Sequence, residues 1–143
     1  MKMGIMSAPP GAADLSVLAM PRGFIREDRN WPSGGARGRR IQAVQDWILE
    51  HLPLEHSVSA LAGRAAMSVR HFARVFREET GLTPGQFVEL ARVNMARILL
   101  EGSEMPLKRV AAQSGFVNAT VMRAAFRRWV GVGPRLYRLQ CRA

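Results

Sequence analysis

Cysteine is nearly absent from this chain of 143 residues, occurring once as Cys141. No internal disulfide can form from it and no cysteine cage can hold a metal, which suits a protein kept in the reducing cytoplasm. Acidic residues are scarce as well: 11 Asp and Glu stand against 21 Lys and Arg, a formal net charge of +10. That excess predicts a polyanionic partner, either nucleic acid or an anionic membrane. No apolar run reaches the roughly 20 residues needed to cross a bilayer. The opening MKMGIMSAPPGAADLSVLAMPRG is too broken by Pro and Gly for a signal peptide. A cytoplasmic location with no membrane partner is therefore expected.

Catalytic and metal-binding groupings are missing too. His51 and His56 lie across a Pro-containing loop with no Cys or carboxylate at ligand spacing. With His71 they are expected to be surface or capping histidines rather than a metal site. The glycines around residues 33–38 are followed by no GKS or GKT and preceded by no strand, so they make no phosphate loop. Without a paired acid and base or an activated nucleophile, the chain reads as neither an enzyme nor the holder of a cofactor. Residues 1–40 carry half of the eight prolines and no sustained period, and are expected to form a flexible basic tail. Within it Arg37, Arg39 and Arg40 read as a solvated linker in preference to an arm along phosphates.

What the chain does contain is a repeat. LAGRAAMSVRHFARVFREETGLTPGQF, from Leu61 to Phe87, returns in altered form as VAAQSGFVNATVMRAAFRRWVGVGPRLY, from Val110 to Tyr137. Phe76, Gly81, Pro84 and Phe87 align with Phe126, Gly131, Pro134 and Tyr137 at an offset of 50, whereas Leu61 and Met67 align with Val110 and Phe116 at 49. The second copy thus has one extra residue in its turn, and one helical unit occurs twice.

The punctuation of each copy says what the unit is. Ser57 is placed to cap a short helix from Val58 to about Ala65 whose Val58, Leu61, Ala62 and Ala65 make one apolar face. Ala66 and Met67 form a turn. Ser68 then caps a second helix that buries Phe72, Val75 and Phe76, turns Arg70, His71, Arg74 and Arg77 outward, and stops at Gly81. A short helix, a tight turn and a second helix with a basic outer face make a helix-turn-helix. The second copy predicts the same from Pro106 to Ser114, a turn at Gly115 and Phe116, and a helix capped by Asn118 that buries Met122, Ala125, Phe126 and Trp129.

Two further helices complete the expected all-α fold. Ile41, Val44, Trp47, Ile48 and Leu52 share one stripe that ends before Pro53. Thr83 followed by Pro84 starts a long helix running to about Glu101, with Phe87, Ala91, Met95, Ile98 and Leu99 on its buried side. The expected organisation is a tail at 1–40 and one domain at 41–143. That domain comprises lobe one at 41–82, a connecting helix at 83–102 and lobe two at 103–143. A rod of this length can set two recognition helices into successive major grooves, about 34 Å apart.

The words SxRHFxRxF, GxTP and GFxxxxxxRxAFRRxxGVxPxxYR resemble the DNA-binding domain of the AraC/XylS transcription regulators, over about Ile41 to Arg138. RHFARVFREETG looks most like the subgroup whose sensor domain resembles glutamine amidotransferases. The resemblance implies a sequence-specific regulator of transcription that binds double-stranded DNA, as a monomer when isolated, and that meets RNA polymerase if it is an activator. It places base-reading positions at Arg70, Ala73 and Arg74, with His71 beside them, and at Ala119, Thr120, Val121 and Ala124. Where Ala124 stands, relatives usually have arginine, which leaves Thr120 and Asn118 as hydrogen-bonding groups together with apolar contacts. Arg123 then takes part of the missing role at a base or a phosphate.

Charge is unevenly divided between the lobes. From Met105 to Ala143 there are eight Lys or Arg and no Asp or Glu, while Ile41 to Glu104 has six basic and eight acidic residues. Phosphate contacts are therefore expected from Lys108, Arg127, Arg128, Arg135 and Arg138, joined by Arg77 and by the caps Ser68 and Asn118. Residues 1–40 are too few for a ligand pocket. The competing expectation is thus a sensor-less DNA-binding protein of low specificity, or a competitor of a full-length regulator.

Overall fold

A computed structural model describes residues 35–142, so the expected tail lies outside the described residues up to position 34. Among the described residues all regular structure is helical. They divide into two compact units, 35–91 and 92–142, with the division falling inside the long helix between Ala91 and Arg92.

The first unit opens with α1, Gly35–Glu50, followed by α2, Val58–Arg64, and α3, Val69–Thr80. Helix α1 begins six residues before the expected position 41. Gly38, Ile41, Val44, Gln45 and Ile48 are its buried residues. The three- and four-residue spacing thus runs back one turn beyond Ile41, and arginine is a good helix former. Arg37, Arg39 and Arg40 are accordingly exposed residues of this helix and not a linker. At its other end His51 donates from Nδ1 to the Trp47 carbonyl (2.9 Å), and His56 donates from Nε2 to the His51 carbonyl (2.7 Å). Both are thereby capping histidines, occupied by carbonyls the helix end leaves open. Trp47 stacks on His51 with ring centres 3.5 Å apart, and the Arg64 guanidinium carbon lies 3.2 Å from the Trp47 ring centre.

The core of this unit joins Ile41, Val44 and Ile48 of α1 to Leu61 and Ala62 of α2 and to Phe72, Val75 and Phe76 of α3. Val58, expected inside, is 38% exposed, because it stands in the first turn of α2, before the helix meets the core at Leu61. Phe76 meets Phe87 edge to face at 5.5 Å. Thr80 is buried yet satisfied: its hydroxyl donates to Phe76 O (2.8 Å) and accepts from Leu82 N (3.1 Å).

Helix α4, Pro84–Gly102, starts on a reciprocal cap. Gln86 N donates to Thr83 Oγ1 (3.2 Å), and Thr83 N donates to Gln86 Oε1 (3.0 Å). That is the capping box, with proline at the first helical position where no N–H is missed. The expected single stripe does not hold along the helix. Phe87, Val88, Leu90 and Ala91 are buried in its first half and Val93, Ala96 and Leu100 in its second, while Ile98 is 49% exposed and Met95 and Leu99 are half-buried. Each half serves the core of its own unit, so the buried line changes course, and extrapolating one 3.6-residue period from Phe87 and Ala91 overshoots.

The second unit adds α5, Leu107–Ser114, α6, Ala119–Val130, and α7, Pro134–Arg142. Its core comprises Val93, Ala96, Leu100, Val110, Ala111, Phe116, Met122, Ala125, Phe126 and Val130. Trp129, expected in this core, is only partly buried against it; the adjacent Val130 is enclosed instead. Helix α7 closes the end of α4. Tyr137 lies edge to face on Phe126 at 5.3 Å and donates its hydroxyl to Glu101, which also pairs with Arg97 (3.3 Å). Arg138 Nε donates to Leu100 O (3.2 Å) and Arg142 to Ser103 O (2.9 Å), with Glu104 as the second partner of Arg142. Cations so placed satisfy carbonyls that a helix C-terminus leaves open and favour its negative end.

Candidate nucleic-acid interface

Both units build the same turn from different residues. After α2, Met67 N donates to Ala62 O (3.0 Å) and Ala66 N to Gly63 O (3.1 Å), with Ala66 at φ 57°. After α5, Phe116 N donates to Ala111 O (2.9 Å) and Gly115 N to Ala112 O (3.2 Å), with Gly115 at φ 97°. This is a Schellman termination, one left-handed residue reversing the chain between two helices. The extra residue of the second copy is Val117, which stands 87% exposed between turn and cap.

The helix that follows each turn is capped alike. Ser68 Oγ accepts from His71 N (3.1 Å), and Asn118 Oδ1 accepts from Val121 N (2.8 Å). Gly81 and Gly131 end α3 and α6 in left-handed conformation, at φ 83° and 97°. Fixed at both ends, each helix turns its apolar stripe inward and leaves the other positions to solvent. On α3 Arg70, Arg74 and Arg77 are exposed, and His71 and Ala73 half-buried. On α6 Thr120, Val121, Arg123, Ala124, Arg127 and Arg128 are exposed and Ala119 half-buried. Ser68, Asn118, Lys108 and Arg135 are exposed as well.

Three arginine arrangements were not visible in the sequence pattern. Arg74 is held along its own helix, donating from one terminal nitrogen to Glu78 (3.2 Å) and from the other to His71 Nδ1 (3.0 Å). The i, i+3 and i, i+4 spacings that allow this were present, but charge counting treats Arg74 and Glu78 as separate. Arg138, expected on phosphate, is half-buried with Nε on the Leu100 carbonyl and its NH2 nitrogen enclosed. It faces the end of α4. Arg127 leans over the turn after its helix, its NH2 nitrogen 3.2 Å from where a side chain on Gly133 would begin. Arg109, beside Lys108, is a further exposed cation of α5.

Among the described residues no group of three or more His, Cys, Asp or Glu could hold a metal ion, and no helix is long and apolar enough to cross a membrane. The surfaces of α3 and α6 are convex rows of donors, cations and methyl groups, suited to a groove in a polyanion.

Known proteins share these features. A helix-turn-helix domain family matches residues 61–140. The chain is 42% identical over 106 residues to the HTH-type transcriptional regulator Rv1931c of Mycobacterium tuberculosis, covering 74% of this chain and 36% of that protein. It is 32% identical over 96 residues to the HTH-type transcriptional activator RhaS of Escherichia fergusonii, covering 67% of this chain and 34% of that one. It thus spans about a third of the length of these relatives. Among solved structures, the DNA-binding domain of the global transcriptional factor AdpA, in complex with a target DNA, superposes with a TM-score of 0.69 at 41% identity, over 72% of this chain and 93% of that one. An AraC-type regulator from Chromobacterium violaceum shares the fold at a TM-score of 0.68 and 19% identity, over 76% and 96% of the two chains. With its two helix-turn-helix units, this chain belongs to the AraC/XylS family of transcriptional regulators and carries that family's DNA-binding domain.

Proposed function

We propose that α3 and α6 are recognition helices, each entering a major groove of double-stranded DNA to direct sequence-specific regulation of transcription. The observation that carries this reading is the paired geometry: two Schellman turns and two capped helices, each presenting an outer face that the fold does not use. Arg70, His71, Ala73 and Arg74 of α3 face base edges, as do Ala119, Thr120, Val121 and Arg123 of α6. An arginine can donate two hydrogen bonds to guanine O6 and N7. Ser68, Arg77, Lys108, Asn118, Arg127, Arg128 and Arg135 meet phosphates, which supply affinity and register but no sequence information. Arg138 is assigned to closing α4 and not to DNA.

The isolated chain acts as a monomer in the cytoplasm, and as an activator it would also meet RNA polymerase. Selection of duplexes from a random pool tests the reading. An enriched motif with G·C pairs under α3 is expected. Tight binding without any enriched motif would replace specific regulation with a general DNA-coating or competing role.

A further inference from the structure

At three matched positions α6 carries smaller, more apolar side chains than α3, although α6 also exposes Arg123, Arg127 and Arg128 and α3 also exposes Val69 (45%). At the offset of 50, Arg70, His71 and Arg74 correspond to Thr120, Val121 and Ala124. Val121 is 46% exposed and Val117, the residue that has no counterpart in the first copy, is 87% exposed. Neither contributes to the core of its unit. The two stand four residues apart at the start of a recognition helix, the end whose side chains reach base edges.

The partner's chemistry follows from the surroundings. From Met105 to Ala143 there are eight cations and no Asp or Glu. Arg138 and Arg142 turn onto the end of α4, and the exposed Lys108, Arg109, Arg123, Arg127, Arg128 and Arg135 that remain favour a polyanion as the partner. The one apolar group that a polyanionic duplex displays on its major-groove edges is the C5 methyl of thymine. We infer that Val117 and Val121 read C5-methyl groups, so that the half-site under α6 is specified by thymine methyls, whereas that under α3 is specified by hydrogen bonds. This inference rests on the DNA-binding reading above.

The test uses the full chain and a duplex selected by it, with thymines replaced singly by deoxyuridine, which removes the methyl and keeps every hydrogen-bonding group. Affinity should fall about fourfold at one or two positions, the loss expected for one buried methyl. The same replacements should cost nothing in Val117→Ala or Val121→Ala at the position each valine covers, and should still cost fourfold in Arg74→Ala. Both valines are exposed and lie outside the core of their unit, so these variants fold. Unchanged affinity for every deoxyuridine duplex, or a methyl penalty that survives in both valine variants, would overturn the inference while leaving DNA binding intact. Failure to bind any duplex would overturn both.

Discussion

Ala66 and Gly115 hold the same place in the two turns, and both have left-handed backbone, at φ 57° and 97°. Only glycine adopts this conformation without steric cost; for alanine the cost is about 1–2 kcal/mol, partly offset by glycine's greater freedom in the unfolded chain. Ala66→Gly should therefore stabilise the protein by up to about 1 kcal/mol, and Gly115→Ala should destabilise it by about as much or more. Denaturant midpoints followed by circular dichroism measure both. A lower midpoint for Ala66→Gly would mean that the Ala66 methyl makes contacts outweighing the strain.

Arg74 and Arg128 are exposed on the two recognition helices and should fail differently. Arg74→Ala is expected to cost about 1–3 kcal/mol on the selected duplex and flatten preference at one or two base pairs, with less effect on scrambled DNA. Arg128→Ala should weaken both duplexes about equally and lower the salt slope by about one unit. Titrations at several salt concentrations separate these outcomes. Equal weakening by Arg74→Ala, together with lost preference in Arg128→Ala, would reverse the two roles.

Glu78 holds the Arg74 guanidinium at 3.2 Å and brings a negative charge to the face proposed to meet DNA. Glu78→Gln should tighten binding to scrambled duplex, because a repulsion with phosphate disappears. It should also reduce the ratio of specific to non-specific affinity, because Arg74 is less firmly aimed. An unchanged ratio would show that Arg74 needs no such support.

Tyr137 is the chain's one tyrosine, so its ionisation can be followed by ultraviolet absorbance without overlap. Burial first, then the hydrogen bond and charge of Glu101, push its hydroxyl well above the ordinary range, with Arg97 opposing. A folded-state value raised above the unfolded one stabilises the protein fully below about pH 10 and loses that contribution as pH rises further. Stability should thus fall steeply above about pH 10 in the wild type and less steeply in Tyr137→Phe. A phenol that titrates in the folded protein at its ordinary position would remove the argument.

The local parts of this protein are written in short stretches of chain. Ser57, Ser68, Thr83 and Asn118 each cap a helix by a hydrogen bond reaching three residues ahead, and Gly81, Gly115 and Gly131 end helices by their own backbone conformation. Such contacts depend on neighbours in sequence, so spacing alone reveals them, and the repeat then makes two helix-turn-helix units. The tertiary structure decided what depends on partners far along the chain. It turned Arg138 onto the carbonyl of Leu100, 38 residues earlier. It put Ile98 in solvent while Val93, Ala96 and Leu100 went inside, because the second half of α4 is covered by α5 to α7 and not by the helices that cover its first half. Periodicity states which residues of a helix share a side; only the packed neighbour determines which side is taken out of water.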